Sequence, residues 1–221
     1  MKFERAVIIS NGRVIRKEFF IKLIKESDYI IAANGGSKHA RNFGLIPDVI
    51  IGDLDSISKK DYLFFLNCGS VFKKYDPMKD KTDIQLAIEY AMESGFKEIL
   101  LVCVFGNRLD HILANIFLLM KIVEAGISVK IIDEFQEIIL IDKSGKIEGN
   151  IGDIISLIPL TPTVSGIKLT GLKFEPKKGR LKMTDTLGIS NVLTKKSATI
   201  TINNGKLLLI KPNSACSIRG G

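Results

Sequence analysis

The chain lacks most of the features that would place it in a specialised class. Its 221 residues include three cysteines, Cys68, Cys103 and Cys216, which are odd in number, far apart and without a Cys-x-x-Cys pair. That argues against a disulfide framework and a structural zinc site, and it fits a reducing cytoplasm. Long apolar runs are also missing. The stretch around Ile116 to Met120 is far below the roughly 18 residues needed to span a bilayer, and Met1-Lys2-Phe3-Glu4-Arg5 leads into a strand-like run with no signal-peptide core. A soluble protein with no membrane partner is expected. Aromatic residues make up only 7% of the chain. The net charge of +8 therefore comes from scattered lysines, with no basic stripe interleaved with stacking side chains, and nucleic acid is not an expected partner. Such a charge is either an ordinary solvated surface or an aid in drawing in a polyanion. Low-complexity tracts, a Walker loop and a Gly-x-Gly-x-x-Gly fingerprint are all absent, so none of the standard nucleotide-binding motifs marks the fold.

What is present is a globular pattern, with 46% hydrophobic and 25% charged residues, enough to bury a core and too apolar for disorder. The texture changes near Asp142. Before it, apolar runs alternate with amphipathic stretches. Strands are predicted at Ala6 to Ser10, Tyr29 to Ala33, Val49 to Ile51, Val71 to Lys74, Glu98 to Val104 and Val129 to Asp133. Helices are predicted at Glu18 to Glu26, Ser37 to Asn42, Ser58 to Asn67, Thr82 to Ser94 and Arg108 to Glu124. In the helix from Thr82, residues Ile84, Ala87, Ile88, Ala91 and Met92 recur at helical spacing, and Thr82 with Gln85 reads as a capping box. This alternation implies a mostly parallel sheet covered on both faces. After Asp142 come β-branched runs, Ile154 to Leu160, Val164 to Thr170, Ala198 to Ile202 and Lys206 to Ile210, with Asn203-Asn204-Gly205 read as a hairpin turn. The expected fold class is α/β: an N-terminal mostly parallel α/β sheet domain over residues 1–142, followed by a smaller C-terminal all-β sandwich domain over 143–221.

Polar chemistry gathers in four loops at the carboxyl ends of predicted strands, where ligands bind in open α/β sheets. Val49-Ile50-Ile51 stops at Gly52 and presents Asp53 and Asp55 on either side of one apolar residue. Both can turn towards one hard cation, and oxygen ligands of this kind suit Mg²⁺; the same pattern is also ordinary Asx turn chemistry. Asn34-Gly35-Gly36-Ser37 pairs glycines before a helix, which lets backbone approach a phosphate. Lys79-Asp80-Lys81-Thr82-Asp83 collects charge and a hydroxyl at a helix start, and Asp83 would add a third carboxylate if it lies beside the first two. In Gly106-Asn107-Arg108-Leu109-Asp110-His111, Arg108 can clamp a phosphate and Asp110 can orient a hydroxyl. His111 reads equally as a helix-start residue.

Gly52-Asp53-Leu54-Asp55-Ser56, Lys79-Asp80-Lys81-Thr82-Asp83, Arg108-Leu109-Asp110-His111 with Ala114-Asn115, and Gly188-Ile189-Ser190-Asn191 follow one another at the approximate spacing of the thiamine pyrophosphokinase family, which the chain resembles over nearly its whole length. The second half matches at Ile155 to Leu160 and Gly166 to Leu172. The resemblance implies transfer of pyrophosphate from ATP, the co-substrate, to the hydroxyethyl oxygen of thiamine, giving thiamine diphosphate and AMP. It implies a homodimer whose sites are shared between subunits, and the cysteine usage makes the cytoplasm its expected compartment. Asp53, Asp55 and Asp83 resemble the Mg²⁺-binding carboxylates. Arg108 and Asp110 resemble the pair near the phosphates and the reacting hydroxyl, Asn34, Gly35, Gly36 and Thr82 the nucleotide side, and Ser190 and Asn191 the thiamine side. The chain departs from the family pattern at Asn34, where the family has Asp, and at Lys38, Asn107 and Val192. The rival readings are a pyrophosphokinase for another heterocyclic alcohol, such as a hydroxymethyl pterin, and a non-catalytic nucleotide or thiamine-diphosphate sensor.

Overall fold

The computed structural model describes residues 3–76 and 80–213; Lys79 of the third loop and Cys216 lie outside them. The chain divides into two compact units, Met1–Glu134 and Phe135–Gly221. The division falls ahead of Asp142 because Gln136–Ile141 is a strand paired within the second unit; Asp142 lies in the turn that follows it.

The first unit runs β1 (Arg5–Ile9), α1 (Lys17–Leu23), β2 (Tyr29–Ala33), α2 (Gly36–Phe43), β3 (Val49–Gly52), α3 (Lys59–Asn67), β4 (Val71–Lys74), α4 (Asp83–Glu93), β5 (Glu98–Val102), α5 (Leu109–Glu124) and β6 (Ser128–Ile132). The strands lie in the order β6-β5-β1-β2-β3-β4, every pair parallel. Ala6 to Ile9, Val49 to Ile51 and Ile99 to Val102 are buried throughout, as strands covered on both faces must be. The chain lays down β1 to β4 in one direction and returns to place β5 on the other side of β1. That reversal opens a crevice beyond the carboxyl ends of β1 and β5.

Local chemistry sets the helix starts. Ser58 Oγ accepts from Asp61 N before α3, and Thr82 Oγ1 accepts from Gln85 N before α4. The reciprocal half of the expected capping box is replaced, because Gln85 Nε2 donates to Glu89 Oε1 at 3.1 Å. Glu89 also accepts from Lys81 at 2.8 Å and from Lys121, which ties α4 to α5. Burial pushes its carboxyl up, but bonds from Lys121, Lys81 and Gln85 outweigh this and bring it down to about 2. A folded pKa below the unfolded one gives stability that is complete above about pH 4.3 and is lost as pH falls towards the folded value. Glu89→Gln should therefore lose less Tm than the native chain between about pH 5 and pH 2. Equal acid sensitivity in the two proteins would show that Glu89 makes no such contribution.

The second unit is β7 (Gln136–Ile141), β8 (Ser144–Glu148), β9 (Ile154–Pro159), β10 (Thr163–Ser165), β11 (Lys168–Thr170), β12 (Arg180–Lys182), β13 (Asn191–Val192), β14 (Ser197–Thr201) and β15 (Leu207–Pro212). They form antiparallel arrays β13-β9-β15-β7, β11-β14-β8 and β10-β12. Alternate residues such as Ile155, Leu157, Ala198 and Ile200 point into one core, shared with Val164, Leu181, Leu207 and Leu209. Two expectations are corrected. Val164 to Thr170 is not one strand: Gly166, at φ 69, breaks it, and the halves pair with β12 and β14. Nor is Asn203-Asn204-Gly205 a hairpin. β14 pairs with β11 and β8, whereas β15 pairs with β7 and β9, so the loop crosses between sheets. The N–H groups of Asn203 and Asn204 donate to Ser165 O instead of closing a two-strand ladder. Among the described residues no helix is long and apolar enough to cross a membrane.

Candidate active site

A cavity of about 520 Å³ in the first unit is lined from five places in the chain, four of them loops that follow sheet strands. Ser10, Asn11 and Gly12 follow β1, Ala33, Asn34 and Gly35 end β2, Asp53 and Ser56 follow β3, and Val104, Gly106, Asn107 and Arg108 follow β5. Lys81, Thr82 and Asp83 come from the start of α4, with His111 and Asn115 from the first turns of α5. The parallel pairing of β1 with β5 assembles this wall. Gly12 N donates to Cys103 O and Arg13 N to Phe105 O, so the two strand-end loops remain zipped beyond the sheet. His39 Nε2 holds Gly12 O at 2.8 Å, and buried Asn115 Nδ2 holds Val104 O at 2.8 Å.

The three expected carboxylates come together. Asp53 and Asp55 project to a common side because Leu54 between them adopts φ 66, an uncommon conformation for a residue with a Cβ, while its side chain packs against the core. Asp83 reaches the same point from the start of α4. All three meet one atom, the side-chain nitrogen of Asn34, which lies 2.7 Å from Asp53 Oδ1, 3.2 Å from Asp55 Oδ1 and 3.0 Å from Asp83 Oδ2. The Asn34 amide, first, and the Ser56 hydroxyl hold the Asp55 carboxyl below the usual carboxylate range. Gly52 makes this approach feasible: at φ 152, a Cβ there would lie 2.7 Å from Asn34 Cβ and 3.0 Å from Asp83 Oδ1.

Three carboxylates within hydrogen-bond reach of a single nitrogen form a donor set of the hard-oxygen type that suits Mg²⁺. The amide fills the centre in this arrangement, and among the described residues no group of three His, Cys, Asp or Glu side chains is already set around a metal position. Asp55 is exposed and does not line the cavity. The paired glycines also serve packing. A Cβ on Gly35 would lie 2.6 Å from Asn11 Nδ2, and one on Gly36 would strike Ile9 O, so both are needed for packing against the end of β1. Gly35 lines the cavity; Gly36 is buried behind it.

Arg108, which lines the cavity, is paired with Asp110, which does not, with Nη2 to Oδ2 at 2.5 Å and Nε to Oδ1 at 3.2 Å. Each raises or lowers the other in the direction an ion pair dictates, Asp110 falling below the usual carboxylate range through Arg108. Both side chains are exposed, so the pairing is weakly held and the guanidinium fork can be redirected to a phosphate. The loop after β1 escaped the sequence reading: Ser10-Asn11-Gly12 looks like any turn, and only the position of β1 beside β5 gives it a place at the cavity.

In the second unit, Ser190 adopts φ 58 and donates its N–H to Ser156 Oγ at 3.2 Å. Asn191 is buried, accepting from Phe174 N and Val192 N and donating to Phe174 O at 2.6 Å. Its amide pins the loop that carries Ser190.

Residues 20–131 match the family model described as the thiamin pyrophosphokinase catalytic domain, and residues 137–207 match the vitamin B1 binding domain of thiamin pyrophosphokinase. A thiamine pyrophosphokinase of Bacillus subtilis is 30% identical over 184 residues, which covers 82% of this chain and 86% of the relative. The crystal structure of thiamine pyrophosphokinase from Bacillus subtilis superposes with a TM-score of 0.84 at 27% identity, covering 95% of this chain and 99% of that one. The thiamin pyrophosphokinase structure from Geobacillus thermodenitrificans gives a TM-score of 0.82 at 26% identity, covering 96% and 99%. With both domain models matched in order and a relative aligned along most of both lengths, the chain belongs to the thiamine pyrophosphokinase family.

Proposed function

We propose that the chain transfers the pyrophosphoryl group of ATP to the hydroxyethyl oxygen of thiamine, and that the cavity of the first unit is where the donor sits. The observation that carries this reading is the convergence of Asp53, Asp55 and Asp83 on one atom beside a wall that also bears Lys81, Thr82 and Arg108. Attack is at the β-phosphorus, and AMP leaves. Asp53, Asp55 and Asp83 would hold Mg²⁺, which when bound neutralises charge on the phosphate oxygens. Arg108 swings from Asp110 to grip a phosphate through two N–H groups, and Lys81, once released from Glu89, adds a second cation to the cavity lining. Released from the arginine, Asp110 accepts a hydrogen bond from the thiamine hydroxyl and orients it. Gly35 and Thr82 border the nucleotide, with Gly36 supporting that loop from behind. Holding the alcohol in line with the departing AMP oxygen supplies much of the remaining acceleration.

The thiamine side is assigned to Ser190, with Asn191 holding its loop in place. The working form is a homodimer in which each site takes its thiamine-side residues from the partner subunit. Purified protein supplied with ATP and Mg²⁺ should release AMP with thiamine and not with a hydroxymethyl pterin. AMP release with the pterin alone would move the assignment to the other heterocyclic alcohol, and release with neither would favour a sensor.

A further inference from the structure

Asn34 is 7% exposed, and its two amide atoms stand in opposite situations. Nδ2 faces three carboxylate oxygens with only two hydrogens to give, so one contact is always shared. Oδ1 is buried with no hydrogen-bond partner. An unpaired buried acceptor is costly and uncommon in a native core. The only other buried side-chain polar atom without a partner among the described residues is Ser37 Oγ, in the same loop. This turn therefore concentrates unmet hydrogen-bonding capacity behind the carboxylates.

A divalent cation among Asp53, Asp55 and Asp83 cannot face an N–H₂ group. The amide cannot easily withdraw either. The Asn34 backbone is fixed at φ 41 by bonds from its N–H to Ile51 O and from Ser37 N to its own carbonyl. Its Cβ is packed so closely over Gly52 that a Cβ there would lie 2.7 Å away. A half-turn about the Cβ–Cγ bond needs no such space, because the oxygen and nitrogen ends of an amide are nearly alike in shape.

We propose that Asn34 is a reversible member of the cation site: its amide nitrogen holds the three carboxylates together when no cation is present, and the amide turns over to offer Oδ1 when a divalent cation enters. The inference rests on the carboxylate assignment above. The half-turn removes a repulsive donor from the cation position, gives Oδ1 a partner there and leaves the backbone and Cβ where they are; the N–H₂ group takes the buried place that Oδ1 leaves, in the turn where Ser37 Oγ also has no partner. A neutral amide also keeps three like charges gathered, so the ligand set is pre-organised.

The test uses Mn²⁺ binding by calorimetry to metal-free protein, with Asn34→Gly and Asn34→Asp. Glycine accepts φ 41 without strain and removes both amide atoms; aspartate keeps an oxygen and loses the donor. Asn34→Gly should weaken Mn²⁺ binding about tenfold, and Asn34→Asp should bind at least as tightly as the native chain. The Asn34 side-chain N–H₂ signals, identified by their loss in Asn34→Asp, should shift on saturation with Mg²⁺. Binding that depends on Asp53 but is unchanged or tighter in Asn34→Gly would make the amide a mere occupant of the centre and overturn the inference alone. No Mn²⁺ binding by the native chain, or binding that Asp53→Asn leaves untouched, would overturn the carboxylate assignment and this inference together.

Discussion

Asp53→Asn and Asp55→Asn should each lower turnover by about a hundredfold or more while leaving the metal-free fold as stable as before, or slightly more so. Activity falls because each substitution removes a charged oxygen from a set of three that must balance a divalent cation and a polyphosphate. Stability does not fall because the carboxylates already crowd one neutral amide: removing one negative charge relieves repulsion, and an asparagine at either position can still accept from Asn34 Nδ2 through its own oxygen. Asp55 is exposed and Asp53 only half-buried, so neither change leaves a cavity in the core. Steady-state rates at limiting and saturating Mg²⁺, set beside melting curves in a chelator, separate the two effects. Turnover at the native level at limiting Mg²⁺ would remove that residue from the metal set, and a large fall in Tm would show that it supports the fold.

The parts of this molecule that were legible in the sequence are those decided locally. β2 at Tyr29–Ala33 begins and ends where its apolar run does, β4 covers the expected Val71–Lys74, and the starts of α3 and α4 sit directly after the capping residues Ser58 and Thr82. Asp53, Asp55 and Asp83 could be singled out because each lies where a strand ends or a helix begins. What escaped was decided by partners distant in the chain. Asn203-Asn204-Gly205 has the composition of a hairpin turn, yet the strands on either side find other neighbours. The run from Val164 keeps its β-branched texture through Gly166, whose positive φ redirects the chain without altering the pattern around it. In the sequence Asn34 stands out as part of the glycine loop on the nucleotide side and as a departure from the family's Asp; that its amide is the common partner of the carboxylates follows from β2 lying beside β3, which no local pattern encodes. Asn191 likewise stood out as a substrate-side residue, whereas its buried amide is occupied by the backbone of Phe174.

Mixing two inactive proteins, Asp53→Ala and Asn191→Ala, should restore activity to about a quarter of the native level if each site draws its thiamine-side residues from the partner subunit. Asp53 lies in the first unit and Asn191 in the second. In a mixed dimer with shared sites, one site then receives both defects and the other neither. Random exchange of equal amounts makes about half the dimers mixed, each with one of its two sites intact, so about a quarter of all sites are whole. The two variants fail for different physical reasons, and that difference helps. Asp53→Ala removes a proposed cation ligand from an accessible loop, whereas Asn191→Ala leaves Phe174 N and O without their side-chain partner and loosens the loop that bears Ser190. Melting curves for Asn191→Ala establish that the defect stays within that loop, and mass measurement of mixed dimers establishes that subunits have exchanged. Under those conditions, an absence of recovered activity would mean that each site is built from a single chain. Recovery well above a quarter would mean that one of the two substitutions does not inactivate the site in which it resides.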